Sequence, residues 1–298
     1  TKNFDDVVPS ASIGYKLTDM SNLRLGYNMR IYRPGIWALN PYLNDADPSY
    51  ISRGNPELDS EKSHAFNLSY SNFIQKFNVN ISARYSFTNN SIENVTRLMP
   101  DTEIEGLKNP TGKDVLYSTY ANIGKTRYAS VNGYVNWNAT SRTRIYMNMS
   151  GNYSYLEGGE GMRNDGWSLF AYGGAQHTLP HDWRISMNVF GQTPWIMLQG
   201  KGSSFFDYGV SVNKSFLNKR LTLSAFASNF FKKYMNQSST TEGSGFVRES
   251  NYKYSRQRFG VSVSYRIGEL KASVKKAART ISNDDVKSGG SGSGGGGE

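Results

Sequence analysis

Side chains whose types and spacing could cooperate in chemistry are sparse in this sequence. It contains no cysteine and only three histidines, His64, His177 and His181. Without thiols there is no disulfide framework, no thiolate metal site and no cysteine nucleophile. Three scattered imidazoles do not make a zinc centre. His181 adjoins Asp182, but both fall in a predicted tight turn, and no nucleophile elbow completes a triad. P-loop and dinucleotide fingerprints are missing as well. The expectation is a protein that is not an enzyme and carries no cofactor and no metal. Asn44-Asp45-Ala46-Asp47 places several oxygens in close succession, as a Ca²⁺ loop would. The downstream Gly and Glu of an EF-hand are lacking, so a solvated turn is the simpler reading.

Two other groups could bind rather than react. Trp37, Tyr42 and Tyr50 lie in one long predicted loop, where they could stack on a glycan or a protein partner. They could equally fold that loop onto itself. Seven arginines, Arg24, Arg30, Arg84, Arg144, Arg184, Arg258 and Arg266, share one parity of the predicted strands. A basic interior face would attract anionic solutes or the acidic face of a partner. The plainer reading is that water-facing strand positions tolerate Arg. Lys and Arg total 34 against 24 Asp and Glu, a formal charge of +10. These charges are spread along the chain instead of clustered, so nucleic acid is not expected.

The elements that position these residues appear when odd and even positions are separated, because strand side chains alternate between faces. From Phe77 one parity reads Phe77, Val79, Ile81, Ala83, Tyr85, Phe87 and the other Asn78, Asn80, Ser82, Arg84, Ser86. The same split recurs at Leu23, Ile145, Trp183 and Phe259. Helical spacing would scatter these residues over every face. Strands are predicted at about 7–17, 22–33, 62–72, 77–90, 117–138, 143–156, 166–179, 183–198, 204–216, 221–235 and 251–267. Short connections at 18–21, 73–76, 139–142, 180–182 and 217–220 alternate with longer ones at 34–61, 91–116, 157–165, 199–203 and 236–250. The Asn-x-Ser/Thr triplets, such as Asn80-Ile81-Ser82, follow from the same alternation and need no glycan.

Composition fits a chain with lipid on one face and water on the other. Hydrophobic residues make up 37% and aromatics 13%, with a mean hydropathy of −0.58. Disordered chains are equally polar but poor in aromatics. No apolar run reaches the ~18 residues of a transmembrane helix. Phe77 to Phe87 spans roughly 33 Å, which at a tilt near 40° projects to about 25 Å, the height of a membrane barrel's apolar band. Tyr15, Tyr70, Phe77, Trp137, Trp183 and Tyr265 sit near the short turns, where interfacial aromatics belong. The fold expected is all-β: an antiparallel transmembrane β-barrel portion in the bacterial outer membrane, contacting its lipid. An odd count of about eleven strands leaves two edges open, so the remainder is expected upstream of Thr1 or on another chain. No signal peptide opens the sequence, which also places natural sequence before Thr1.

Two segments carry a family resemblance. Arg53-Gly54-Asn55-Pro56-Glu57-Leu58-Asp59-Ser60-Glu61, following Leu39-Asn40-Pro41-Tyr42, resembles the motif that opens a barrel strand in TonB-dependent receptors, with Ser60 where Pro is commoner. Asn229-Phe230-Phe231-Lys232-Lys233 through Arg258–Gly268 resembles the last two strands of that superfamily. Val274-Lys275-Lys276 and Ile281–Asp285 resemble the tail of its Bacteroidota branch. The resemblance implies a barrel of about 22 strands around an N-terminal plug, of which residues 1–268 are the C-terminal half. It also implies a missing N-terminal barrel half, a plug, a TonB system and a surface lipoprotein as partners. Residues 269–298 end in Gly and Ser and read as a flexible periplasmic tail. Nutrient uptake is the function implied. A structural barrel subunit of an assembly, secretion or display complex is the second reading. A soluble β-rich adhesin or glycan-binding module is the third.

Overall fold

The computed structural model describes residues 7–268 and 286–287. In chain order the strands are β1 (Ser10–Thr18), β2 (Ser21–Pro34), β3 (Leu43–Asp47), β4 (Tyr50–Arg53), β5 (Glu61–Ile74), β6 (Phe77–Pro100), β7 (Asp114–Trp137), β8 (Thr143–Glu157) and β9 (Arg163–Leu179). Then come β10 (Trp183–Gln192), β11 (Ile196–Met197), β12 (Gly200–Lys201), β13 (Phe205–Phe216), β14 (Leu221–Ser228), β15 (Tyr234–Gly243), β16 (Phe246–Ser255), β17 (Arg258–Tyr265) and β18 (Val286–Lys287). One short helix, α1 (Ile36–Leu39), lies between β2 and β3.

The main sheet follows the path β1-β2-β5-β6-β7-β8-β9-β10-β13-β14-β17, an antiparallel meander of the eleven strands read from the sequence. Consecutive strands meet through tight turns at one end of the wall. His181 and Asp182 take φ of 60° and 57° in one of them, the left-handed geometry that matches hairpin twist. Among the described residues the wall does not close: β1 pairs only with β2, and β17 only with β14.

Register confirms which residues share a face. Ile81 lies opposite Tyr70 and Gly133, Val135 opposite Met147, and Met187 opposite Ala175 and Val210. This apolar face is bare: Val261 is 79% exposed and Met187 58%. Such a continuous exposed apolar surface has no place in water and requires lipid. Near the tight turns Phe77 stacks on Trp137 at 5.4 Å, and the Lys214 ammonium lies 5.5 Å from the Trp183 ring. Toward the opposite end Tyr153 packs on Trp167 at 5.4 Å. The eight-residue rise from Ile145, opposite Trp137, to Tyr153 thus separates two aromatic levels by roughly 26 Å along the strand, or about 20 Å once tilted. Longer connections face outward in such barrels and short turns face the periplasm.

Five of the expected spans differ. The 91–116 segment is not an open loop: β6 and β7 continue as one hairpin to Pro100 and Asp114, past bulges at Thr88, Ser91 and Ile92. Gly124 permits that bulge, since a Cβ there would stand 2.0 Å from Ser91 Oγ. The 157–165 connection is likewise shorter, because β8 and β9 extend to Glu157 and Arg163. The strand expected at 183–198 ends at Gln192, and those at 221–235 and 251–267 are each interrupted. β15 and β16 instead form a hairpin in a separate sheet with β11 and β12. The cause is polarity. Gln237-Ser238-Ser239-Thr240-Thr241-Glu242 has polar residues on both parities, so it has no face to offer lipid. Within the stretch read as a tail, Val286 and Lys287 pair in parallel with Arg33 and Pro34; the remainder, including 274–276 and 281–285, lies outside the described residues.

Candidate functional site: the outer-loop platform

The β2–β5 connection is bound to the β6–β7 hairpin by the Gly-Asn-Pro motif. Gly54 donates its N–H to Asn40 O at 2.9 Å, and Asn55 donates to Ala38 O at 2.6 Å. A Cβ on Gly54 would stand 2.5 Å from Asn40 O and 2.8 Å from Ala38 O, so only glycine allows the two backbones to meet. Asn55 uses its side chain twice. Its Oδ1 accepts the Glu57 N–H at 2.9 Å, and its Nδ2 donates to Tyr120 O on β7 at 2.9 Å. Asp59 N–H donates to Asn122 Oδ1, which returns its amide to Asp59 O. The Glu61 carboxylate accepts the Ile92 N–H at the bulge.

These bonds seat two small apolar clusters. Ala38, Leu58 and Ile92 form one with Leu39 and Tyr120. Ile51, Ile104 and Val115 form the other with Leu43, Met99, Leu107 and Tyr117. β4 adds itself in parallel to β7, Tyr50 facing Leu116. At the hairpin tip Asp101 accepts the N–H and hydroxyl of Thr111 at 2.7 and 2.8 Å and the Gly112 N–H at 2.7 Å. The Thr111 N–H above all holds this carboxyl below the usual carboxylate range.

Trp37, Tyr42 and Tyr50 converge on one cavity of about 490 Å³ in this platform, with Asn94, Ser118 and Tyr120 contributed by β6 and β7. The two readings of these aromatics separate. Tyr50 is half-buried and folds the loops together, with the Arg248 guanidinium 3.9 Å from its ring. Trp37 and Tyr42 are 72% and 74% exposed. Ring faces, amides and the Arg53 side chain around one hollow suit a polar ligand with a flat face. Asp47 contributes less. Its carboxylate accepts the Ser49 hydroxyl at 2.7 Å and the Ser49 N–H at 2.9 Å, and these bonds lower its pKa. Among the described residues no three His, Cys, Asp or Glu gather as metal ligands.

The β15–β16 hairpin reaches the same platform from β14 and β17. Gln199 joins them: its amide accepts the Thr96 N–H at 2.8 Å and donates to Thr96 O at 2.9 Å, while its carbonyl accepts the Glu242 N–H at 2.7 Å. The Gln199 amide thus serves Thr96 as a neighbouring strand would. At the hairpin's foot Asn229, with φ of 50°, bonds Asp207 at 2.7 Å, and Asp207 pairs with Arg256. Sequence reading missed Gln199, Asp207 and Arg256, and met Asn229 only within a family resemblance. A lone Asp207 at a lumen-parity position was the available signal.

Six of the seven arginines are placed on one side by register but not gathered into one site. Register puts Arg24 opposite Ser69, Arg84 opposite Asn67 and Ser130, Arg144 opposite Gln176, Arg184 opposite Thr178 and Asn213, and Arg258 opposite Ser228. Arg30 lies opposite Ser63, and Arg266 follows β17. Arg24 borders a hollow of about 330 Å³ with Ser12, Asn28 and Asn67, while Arg144 donates to Asn136 Oδ1 at 2.7 Å. They are a lining, not a pocket. His64 and His177 bond Tyr27 and Thr143 respectively, and His181 sits in its tight turn.

A meandering wall with lipid outside, polar side chains inside and a built platform at its long-loop end defines an outer-membrane β-barrel wall. The outer membrane protein beta-barrel family matches residues 1–265, and the chain belongs to that family in the bacterial outer membrane. Its fold is similar to those of solved structures that include two receptors and a transporter. The siderophore receptor PirA from Pseudomonas aeruginosa matches at TM-score 0.55 and 16% identity, over 76% of this chain and 39% of that one. The ferric enterobactin receptor PfeA from the same organism, in a mutant form, matches at 0.58 and 16%, over 87% and 40%. The copper transporter OprC matches at 0.58 and 13%, over 86% and 39%. The chain therefore spans about two fifths of the length of these proteins. Comparison with curated proteins finds no match.

Proposed function

We propose that the chain supplies wall and outer loops to a receptor that takes up a ligand across the outer membrane. The platform cavity under Trp37 and Tyr42 is its outer contact surface. The observation that carries this reading is the pairing of two exposed aromatics with a rigidly seated floor. A loop that merely covered the wall would bury such side chains, whereas a binding surface keeps them available. The similarity to proteins named as receptors and a transporter supports it. In this reading the wall is completed to about 22 strands by a further segment or chain. The arginine face then meets an acidic plug or an anionic solute. A TonB system and a surface lipoprotein act as partners.

A second reading, a barrel subunit of an assembly, secretion or display complex, draws on the β15–β16 hairpin, whose polar faces could receive a protein. One experiment separates the two. Cells lacking the native copy and carrying Trp37→Ala with Tyr42→Ala are tested for uptake of ferric siderophores, copper and oligosaccharides. The receptor reading expects at least a tenfold loss for one of these, with unchanged protein level in the outer membrane. If complete deletion leaves every uptake rate intact while surface proteins fail to assemble, the scaffold reading replaces it.

A further inference from the structure

The lipid-facing side of the wall is not evenly covered. Gly133, Gly151, Gly173 and Gly191 occupy positions of the same parity that elsewhere hold Val, Leu or Met. Gly133, Gly151 and Gly191 line an apolar groove of about 980 Å³ between larger neighbours, flanked by Met149, Trp167, Leu169, Val189 and Phe206. A second groove of about 380 Å³, along Leu25, Phe66, Leu68 and Tyr85, adjoins it, and Val131 and Trp167 border both.

The long-loop end of the larger groove is basic. Lys232 and Tyr234 line it there. The ammonium groups of Lys233 and Lys253 stand 5.4 and 4.8 Å from the Tyr234 ring. Two lysines therefore flank one exposed phenol, and a third, Lys232, lines the groove beside it where the chain leaves the wall. Acidic groups nearby are engaged: Asp207 pairs with Arg256, and Asp165 accepts the Tyr153 hydroxyl at 2.8 Å and lies 4.0 Å from Arg163. A neutral lipid would gain nothing from the lysines, and a free anion nothing from the grooves. A lipid with a phosphorylated head and several acyl chains uses both.

We infer that this surface is a discrete site for a phosphorylated, multiply acylated lipid of the outer leaflet. Its acyl chains lie in the grooves on either side of Trp167, and its phosphate meets Lys232, Lys233 and Lys253. The inference rests on the outer-membrane assignment and on long loops facing outward, and it is independent of uptake.

The test uses the intact protein purified in detergent and three probes: bis-phosphorylated lipid A, its dephosphorylated form, and inorganic phosphate. Binding is followed by native mass spectrometry and by quenching of tryptophan fluorescence. The phosphorylated lipid is expected to bind at least tenfold more tightly than the dephosphorylated one. Replacing the three lysines together (Lys232→Gln, Lys233→Gln, Lys253→Gln) should erase that preference. Leu169→Trp, which fills the groove, should weaken both lipids. Lys76→Gln at the opposite end should change neither, and heat-dependent gel mobility checks that each variant is folded. Equal affinity for the two lipids, or a preference surviving in the triple variant, overturns the proposal. Displacement of lipid A by millimolar inorganic phosphate would reduce the site to an ion site and overturn it too.

Discussion

The wall and the outer-loop platform are both largely antiparallel β structure, yet they hold together by opposite means. Strand β1 is exposed along its whole length, and β17 nearly so. The two buried hydrophobic clusters, around Leu58 and around Ile51, both belong to the platform. In the wall, ladders of backbone hydrogen bonds carry the structure, because hydrocarbon offers those groups no other partner. In the platform, water surrounds the chain, so apolar side chains must be gathered inward as in any small soluble domain. One chain thus follows the rules of two solvents, and the change occurs within single strands, at the bulge after Thr88 in β6.

The comparison breaks most readily in the platform. Leu58 is 1% exposed, and Leu58→Ala should cost about 2–5 kcal/mol of local stability. Because the wall shares none of that core, hydrogen exchange should rise across 35–60 and 92–120 while wall amides stay protected. Uniform loss of protection would mean that the two regions are one cooperative unit. Next in size is a contrast within the wall. Ile81→Arg or Met147→Arg, on the lipid side, should cost about 2–4 kcal/mol near the midplane, with Ser82→Arg and Asn148→Arg far milder. Denaturant titration in detergent or lipid measures this, and equal costs would refute the face assignment.

Gly54→Ala sharpens the comparison further. The added methyl meets backbone atoms of Asn40 and Ala38 that cannot swing away, so about 1–3 kcal/mol of overpacking is expected. Limited proteolysis of the β2–β5 loop should quicken without any change in the folded band on a gel. The smallest effect is one of pH. Asp101 is held below the ordinary carboxylate range by the Thr111 N–H. Its contribution is present above the unfolded carboxylate pKa and is lost as pH falls through the lowered folded value. Exchange at Thr111 and Gly112 should therefore increase only on strong acidification, and Asp101→Asn should flatten that profile.

The wall was legible in the sequence because lipid on one side and water on the other make the alternation nearly clean, as from Phe77 to Phe87. The platform was less legible. Beyond Thr88 and throughout β15 and β16 neither parity is reserved for lipid, so the two-residue period loses its contrast although the chain remains extended. Trp37, Tyr42 and Tyr50 stood out by type. Their common cavity did not, because its floor of Asn94, Ser118 and Tyr120 arrives from a hairpin elsewhere in the chain. The Gly-Asn-Pro segment was recognisable by resemblance, but its physical basis required the neighbouring Ala38–Asn40 backbone. Gln199 carried no signal at all, since a lone amide reveals nothing of the strand edge it will imitate.

That amide has a consequence for the order in which the molecule is built. Gln199 meets Thr96 across 103 residues, and Arg248 reaches Tyr50 from still farther along the chain. The wall grows by hairpins between neighbours in sequence, whose loops are inexpensive to close, whereas these crossings must wait for nearly every strand to be laid down. Each outer loop has to pass through the bilayer separately before it can find the others on the far side. The bridges at Gln199 and Tyr50 are therefore later events than the hairpins they join, and the second must wait for β16.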